Sequence, residues 1–164
     1  MIRVSIVTIS DSAVAGTRSD RSGPKLRERA EALGWKVTSQ ELVPDDAELI
    51  AAVLRRLADS GEVSVILTTG GTGVAPRDVT PEATRQVIQR EIPGLGEVMR
   101  SDGRQSTPYA VLSRGVAGIR GQCLIVNLPG SPKGAVESLD SIAKLVPHIV
   151  DLIEGRTSHN DVPH

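Results

Sequence analysis

Aromatic side chains are nearly missing from this sequence: Trp35 and Tyr109 are the only two, and there is no phenylalanine. A chain this poor in aromatics lacks the stacking platforms that single-stranded nucleic acid needs. Its core must be built from Val, Ile, Leu and Ala. Cysteine is scarcer still. Cys123 stands alone, which rules out an intrachain disulfide and suits a reducing compartment. Charge of one sign is also lacking. The 19 basic and 20 acidic residues leave a net charge of −1, so there is no electrostatic footprint for DNA, RNA or an anionic membrane. No apolar run approaches the roughly 18 residues of a membrane span. The opening MIRVSIVTISDS meets Asp11 too soon for a secretory signal. These absences together predict a cytoplasmic protein with neither a membrane nor a nucleic-acid partner. His148, His159 and His164 show no ligand spacing, which argues against zinc. No Gly-x-Ser-x-Gly elbow is present, which argues against an α/β-hydrolase.

What is present is rhythm. A length of 164 residues fits one domain, expected over 1–155 with a loose tail at 156–164. Ile2–Ile9 is β-rich and apolar on both faces, like a central parallel strand. Ser10–Pro24 reads as a polar loop. Leu26–Leu33 reads as a helix stopped by Gly34, and Trp35–Val43 as a second strand. Asp46 can cap a helix over Ala47–Ala58 whose buried face would carry Leu49, Ile50, Val53, Leu54 and Leu57. Val63–Leu67 is a third strand. Thr80 is the expected cap of a helix opening at Pro81, with Glu82 in its first turn. A further helix is expected around Glu97–Asp102. Val116–Ile119 and Cys123–Leu128 flank Arg120-Gly121 as a hairpin. A last helix runs from about Lys133 to Ile153, interrupted at Pro147. Strands alternating with helices predict a three-layer αβα sandwich, mostly parallel, with one antiparallel hairpin.

Open sheets of this kind bind ligands beyond the C-terminal ends of their strands. Ser10-Asp11-Ser12, Pro44-Asp45-Asp46, Thr69–Asp78 and Pro129–Lys133 all leave such ends and should share one rim. The richest is Gly70-Gly71-Thr72-Gly73. Closely spaced glycines let backbone N–H groups approach an anion. No Gly-Lys-Ser/Thr follows, so this is no Walker A loop, and the spacing is wrong for a Rossmann fingerprint. The glycines alone also fit a tight turn without a ligand. Arg77 and Asp78 tip the balance, since Arg can grip phosphate bidentately and Asp can hold Mg²⁺ beside phosphate oxygens. Asp45 is the second candidate carboxylate, with helix capping as its plain alternative. Asp11 is either an Asx-turn residue or a phosphate-side group. Lys133 is either a phosphate contact or a solvated lysine. Arg114 reads most simply as a surface ion pair, and Cys123 as core.

Several segments in order resemble the MogA/MoaB family of molybdenum-cofactor biosynthesis, which includes molybdopterin adenylyltransferases and the G domain of gephyrin. They are TISDSAVAG at 8–16, LVPDD at 42–46, TTGGTGVAPRDVTPEAT at 68–84, IPGLGEVMR at 92–100, TPYAVLSRGVAGIRG at 107–121 and NLPGSPKGAVE at 127–137. The resemblance covers about Ile2 to Gly155. It implies a molybdopterin-binding-like fold and Mg-ATP-dependent adenylylation of molybdopterin, with release of pyrophosphate. By motif it assigns catalysis and Mg²⁺ binding to Asp45 and Asp78. Gly70, Gly71, Thr72 and Gly73, with Asp11, would face phosphate and nucleotide. Ser113, Arg114, Pro129, Gly130, Ser131 and Lys133 would line the pterin pocket. It further implies a homotrimer or hexamer, with hand-over of the product to a molybdenum-insertion protein. Two other roles fit the same resemblance: a molybdopterin-binding carrier of MoaB type without turnover, and an oligomeric scaffold. Compact length and a short tail resemble the MoaB type. The Asn127–Pro132 turn, Asp45 and Asp78 resemble the active branch.

Overall fold

A computed structural model describes residues 1–156. The tail expected at 156–164 therefore lies outside the described residues, apart from Arg156. Six strands form one sheet in the order β2-β1-β3-β6-β5-β4: β1 Arg3–Ile9, β2 Lys36–Val43, β3 Val65–Thr69, β4 Arg90–Glu91, β5 Ala117–Arg120 and β6 Cys123–Leu128. The β2-β1-β3-β6 block is parallel, and β5 runs antiparallel to both neighbours. The expected hairpin is β5–β6, and Gly121 at φ +56° turns it. The short edge strand β4 was not foreseen; two residues carry no readable period.

Two apolar clusters divide by side-chain parity across the sheet. Val4, Ile6, Val65, Leu67, Leu124 and Val126 face one layer of helices. That layer holds α2 (Ser22–Ala32), α5 (Pro93–Gly103), α6 (Pro132–Ile142) and α7 (Val146–Ile153). Val7, Ile9, Ile66, Cys123 and Ile125 face α3 (Ala47–Asp59) and α4 (Thr80–Val87). This is the three-layer arrangement. Strands buried on both faces need continuous apolar runs, which is why β1 and β3 do not alternate. Each fully buried Leu or Ile, such as Leu54 or Ile66, contributes about 1.5–3 kcal/mol. No helix among the described residues is long and apolar enough to cross a membrane.

Four expectations need correcting. Ser10–Pro24 is not loop throughout. Ser10 caps a short helix, α1 (Asp11–Ala15), and α2 already begins at Ser22, with Pro24 in its first turn, where the missing N–H costs nothing. Asp46 does cap α3, its carboxylate accepting from Leu49 N–H at 3.0 Å, yet the Leu49 side chain is 50% exposed. It lies about 100° round the helix from Ile50, off the buried arc. Thr80 is no cap. Val79 holds that position, and Thr80 is the buried first residue of α4. The final helical stretch splits into α6 and α7, with Pro147 in the first turn of the second.

Candidate active site

Parallel strands place the loops after β1, β2, β3 and β6 on one rim, as the sequence predicts. The turn after β3 is the centre. Gly70 N–H donates to Leu128 O at 3.2 Å, which holds the end of β3 against β6. The chain then reverses through Gly70 (φ +103°) and Gly71 (φ +67°). Both must be glycine for two reasons. Left-handed backbone disfavours a side chain. In addition, a Cβ on Gly70 would sit 2.3 Å from Ile9 O, and one on Gly71 2.2 Å from Thr80 Oγ1. Thr80 is spent on the same turn: its hydroxyl donates to Gly70 O at 3.0 Å and its N–H to Gly71 O at 3.1 Å.

Arg114 explains how the turn is held open. Its N–H donates to Thr72 O and its Nε to Gly73 O, both at 2.8 Å. Nη2 donates to Asp78 O at 2.8 Å, and Nη1 pairs with Glu82, whose carboxyl is held below its usual range by that contact. The turn's carbonyls are thus bound from behind. The N–H groups of Gly71, Thr72, Gly73 and Val74 donate to no protein acceptor among the described residues. A row of unspent amides is an anion nest. Arg114 therefore braces the turn and is not on the cavity wall. Arg77 behaves similarly: its Nη2 donates to Asp11 Oδ1 at 3.0 Å and to Asp45 O at 3.1 Å, so it grips a carboxylate instead of an incoming phosphate.

Asp11 and Asp45 are tied reciprocally. Asp45 N–H donates to Asp11 Oδ1, and Asp11 N–H to Asp45 Oδ2, both at 3.0 Å. The Arg77 guanidinium holds the Asp11 carboxyl below its usual range. Asp45 is pushed the other way, chiefly by burial, with the negative charges of Asp11 and Asp78 adding to it. Asp78 Oδ2 accepts from Ala75 N–H at 3.0 Å and lies 2.8 Å from where a Gly73 Cβ would be. Asp45 Oδ1 and Asp78 Oδ1 accept no protein hydrogen bond among the described residues. Two such oxygens beside an anion nest fit Mg²⁺, which takes one or two carboxylates and completes its shell with phosphate and water. No cluster of three or more His, Cys, Asp or Glu suited to a metal occurs among the described residues.

Two cavities meet on this turn. The first, of about 480 Å³, lies between the turn, α5, the 3-10 segment Pro108–Leu112 and α6, and is mostly apolar. Ser113, Pro129, Gly130 and Ser131 line it, as do Met99 and Tyr109. Tyr109 is 75% exposed there, while Trp35 is buried in the core. The second, of about 460 Å³, opens between the loops after β1, β2 and β6 and is lined by Thr8, Arg18, Asp20, Arg21 and Asp45 among others. Gly71, Asp78, Gly130 and Ser131 belong to both. Lys133 borders neither; its exposed amine lies 3.8 Å from Glu137. Asp11 also stands behind the walls. Sequence reasoning missed Asp20, which accepts from Thr8 Oγ1 at 2.9 Å and Gly23 N–H at 3.0 Å and so seats the start of α2. It also missed Asn127, whose buried amide ties Thr68, Thr84 and Val116 N–H together. The Asp20-x-x-Gly23 spacing before a helix was the available signal.

An open α/β sheet that ends in a row of unspent amides, with Asp78 on the wall of both cavities and Asp45 on that of the second, has the architecture of an α/β domain whose site lies at its strand ends. A family model described as "Probable molybdopterin binding domain" matches residues 5–148. The molybdopterin adenylyltransferase of Helicobacter pylori (strain J99) is 41% identical over 156 residues, covering 94% of this chain and 89% of that protein. The molybdenum cofactor synthesis protein cinnamon of Drosophila melanogaster is 46% identical over 153 residues, but the chain spans only 26% of its length. The molybdopterin biosynthesis enzyme MoaB of Thermus thermophilus superposes with a TM-score of 0.89 at 52% identity, covering 94% of this chain and 98% of that one. The chain belongs to this molybdopterin-binding family of molybdenum-cofactor biosynthesis proteins.

Proposed function

We propose that this protein is a molybdopterin adenylyltransferase acting with Mg-ATP, within one domain spanning 1–155. The observation that carries the reading is the open amide row of Gly71–Val74 together with Asp78, which borders both cavities, and Asp45, which borders the second. An oxygen of molybdopterin's terminal phosphate bonds to the α-phosphorus of ATP. The bond from that phosphorus to the α–β bridging oxygen breaks, and pyrophosphate departs with the electron pair. The attacking phosphate oxygen is already ionised, so no strong base is needed. Catalysis then reduces to alignment and charge neutralisation. The amide nest holds phosphoryl oxygens, and Arg114 keeps its carbonyls turned away. Asp45 and Asp78 would hold Mg²⁺, which supplies charge to the phosphates when bound. The apolar cavity suits a flat heterocycle, with Tyr109 the one aromatic placed to stack on it.

The named activities of the bacterial relatives support this reading, since the chain spans nearly nine-tenths of their length. A trimeric or hexameric assembly, cytoplasmic location and hand-over to a molybdenum-insertion protein complete the proposal. Asp78→Asn tests it through pyrophosphate release with molybdopterin and Mg-ATP. The expected loss in kcat is roughly a thousandfold, and near wild-type turnover would overturn the assignment. A carrier without turnover would instead bind molybdopterin and release no pyrophosphate even as wild type.

A further inference from the structure

The second cavity carries more than the carboxylates explain. Its outer wall is the segment between α1 and α2, which contributes Arg18, Asp20 and Arg21. Neither guanidinium has a side-chain or backbone acceptor among the described residues, unlike Arg77 and Arg114, which both donate to acceptors beside the same turn. The segment is not loosely placed. Asp20 accepts from Thr8 Oγ1 at the end of β1 and from Gly23 N–H at the start of α2. Close packing fixes this contact, since a Cβ on Gly23 would lie 2.4 Å from Asp20 Oδ2 and 2.7 Å from Thr8 Oγ1. Arg21 follows Asp20 directly, so the same anchor sets its position at the cavity. Two cations without partners, seated beside three carboxylates, call for a ligand that is strongly anionic and itself carries a divalent cation.

Resting on the adenylyl-transfer reading, we infer that this cavity is the seat of the pyrophosphate limb of the nucleotide, with Arg18 and Arg21 as its cationic contacts. In-line displacement puts the attacking and leaving oxygens on opposite sides of the α-phosphorus. The seam residues Gly71, Asp78, Gly130 and Ser131 lie between an apolar cavity and this polar one. With the α-phosphorus at the seam, the polar side receives the β- and γ-phosphates before transfer and pyrophosphate after it. Charge developing on the departing oxygen then meets the two guanidinium groups, a pairing that Arg makes bidentately.

The test is the double variant Arg18→Ala/Arg21→Ala in the full chain, using Mg-pyrophosphate and AMP as probes. Both residues are exposed, and neither guanidinium has a hydrogen-bond or ion-pair partner among the described residues. Calorimetry should show Mg-pyrophosphate binding weakened by tenfold or more, with AMP affinity unchanged. The constant for product inhibition by pyrophosphate should rise in parallel, and Arg21→Lys should recover part of the affinity. Unchanged pyrophosphate affinity in the double variant, with a wild type that turns over, overturns this inference alone. Equal weakening of AMP and pyrophosphate also overturns it, because it marks a general field and not a subsite. A wild type that releases no pyrophosphate overturns the adenylyl-transfer reading beneath it.

Discussion

The two ends of the one sheet use glycine differently. At the end where strands begin, Gly34, Gly61 and Gly121 turn the chain at φ +84°, +74° and +56°, and a Cβ on any of them would touch nothing within 4 Å. At the end where strands finish, Gly70 and Gly71 have positive φ, and a Cβ would strike Ile9 O or Thr80 Oγ1. Gly73 there has no positive φ, yet its Cβ would press on Asp78 Oδ2 at 2.8 Å. Gly130 is similar, with Gly70 Cα at 3.3 Å. One end needs glycine for the bend alone. The other needs it because backbone, hydroxyl and carboxylate converge on the space a side chain would fill. Crowding of that kind is what an anion site built from main-chain amides requires.

Substitution separates the two ends. Gly71→Ala should be the most damaging single change. It combines left-handed strain with a clash that breaks the Thr80–Gly70 bond, a loss of about 3 kcal/mol. Thermal melting should fall by roughly 10 °C, and pyrophosphate release should disappear. Asp45→Asn should cut turnover by about a hundredfold while raising the melting temperature at neutral pH. The sign follows from the raised pKa of Asp45, which arises first from burial. The folded state holds this proton more tightly than the unfolded chain, so ionising Asp45 costs stability once pH rises through its folded value. The variant carries no such cost. Its advantage should shrink as pH falls and vanish below the ordinary value of 3.8, which melting curves across pH would reveal. Gly121→Ala should do least. With open space around the Cβ, only the backbone penalty of about 1 kcal/mol remains, and kcat should not change. A large activity loss at Gly121, or none at Gly71, would erase the contrast between the ends.

Much of this was legible in the sequence because the signals are local. Asp46 announces α3 by a capping carboxylate three residues from the N–H that donates to it, and the β3-to-glycine junction announces the site. The family motifs supplied the substrate, which no local signal could. What stayed hidden depends on contacts across the chain. Whether Arg77 faces a ligand or a carboxylate is decided by Asp11, which lies 66 residues away. Arg114 reaches back 41 residues to Gly73, so a residue expected at the pterin pocket braces the turn. The Thr8–Asp20 bond makes an ordered wall of a segment whose composition reads as loop. Residue types were readable there, but partners were not.

The most direct measurement follows the adenylyl group itself. The wild-type protein is incubated with molybdopterin, Mg²⁺ and ATP labelled at the α-phosphate. Adenylyl transfer puts label on the pterin's terminal phosphate, with one pyrophosphate released for each group transferred, and gives neither product from Asp78→Asn. Label that remains on free nucleotide in the wild-type reaction, with molybdopterin bound and unmodified, would contradict it.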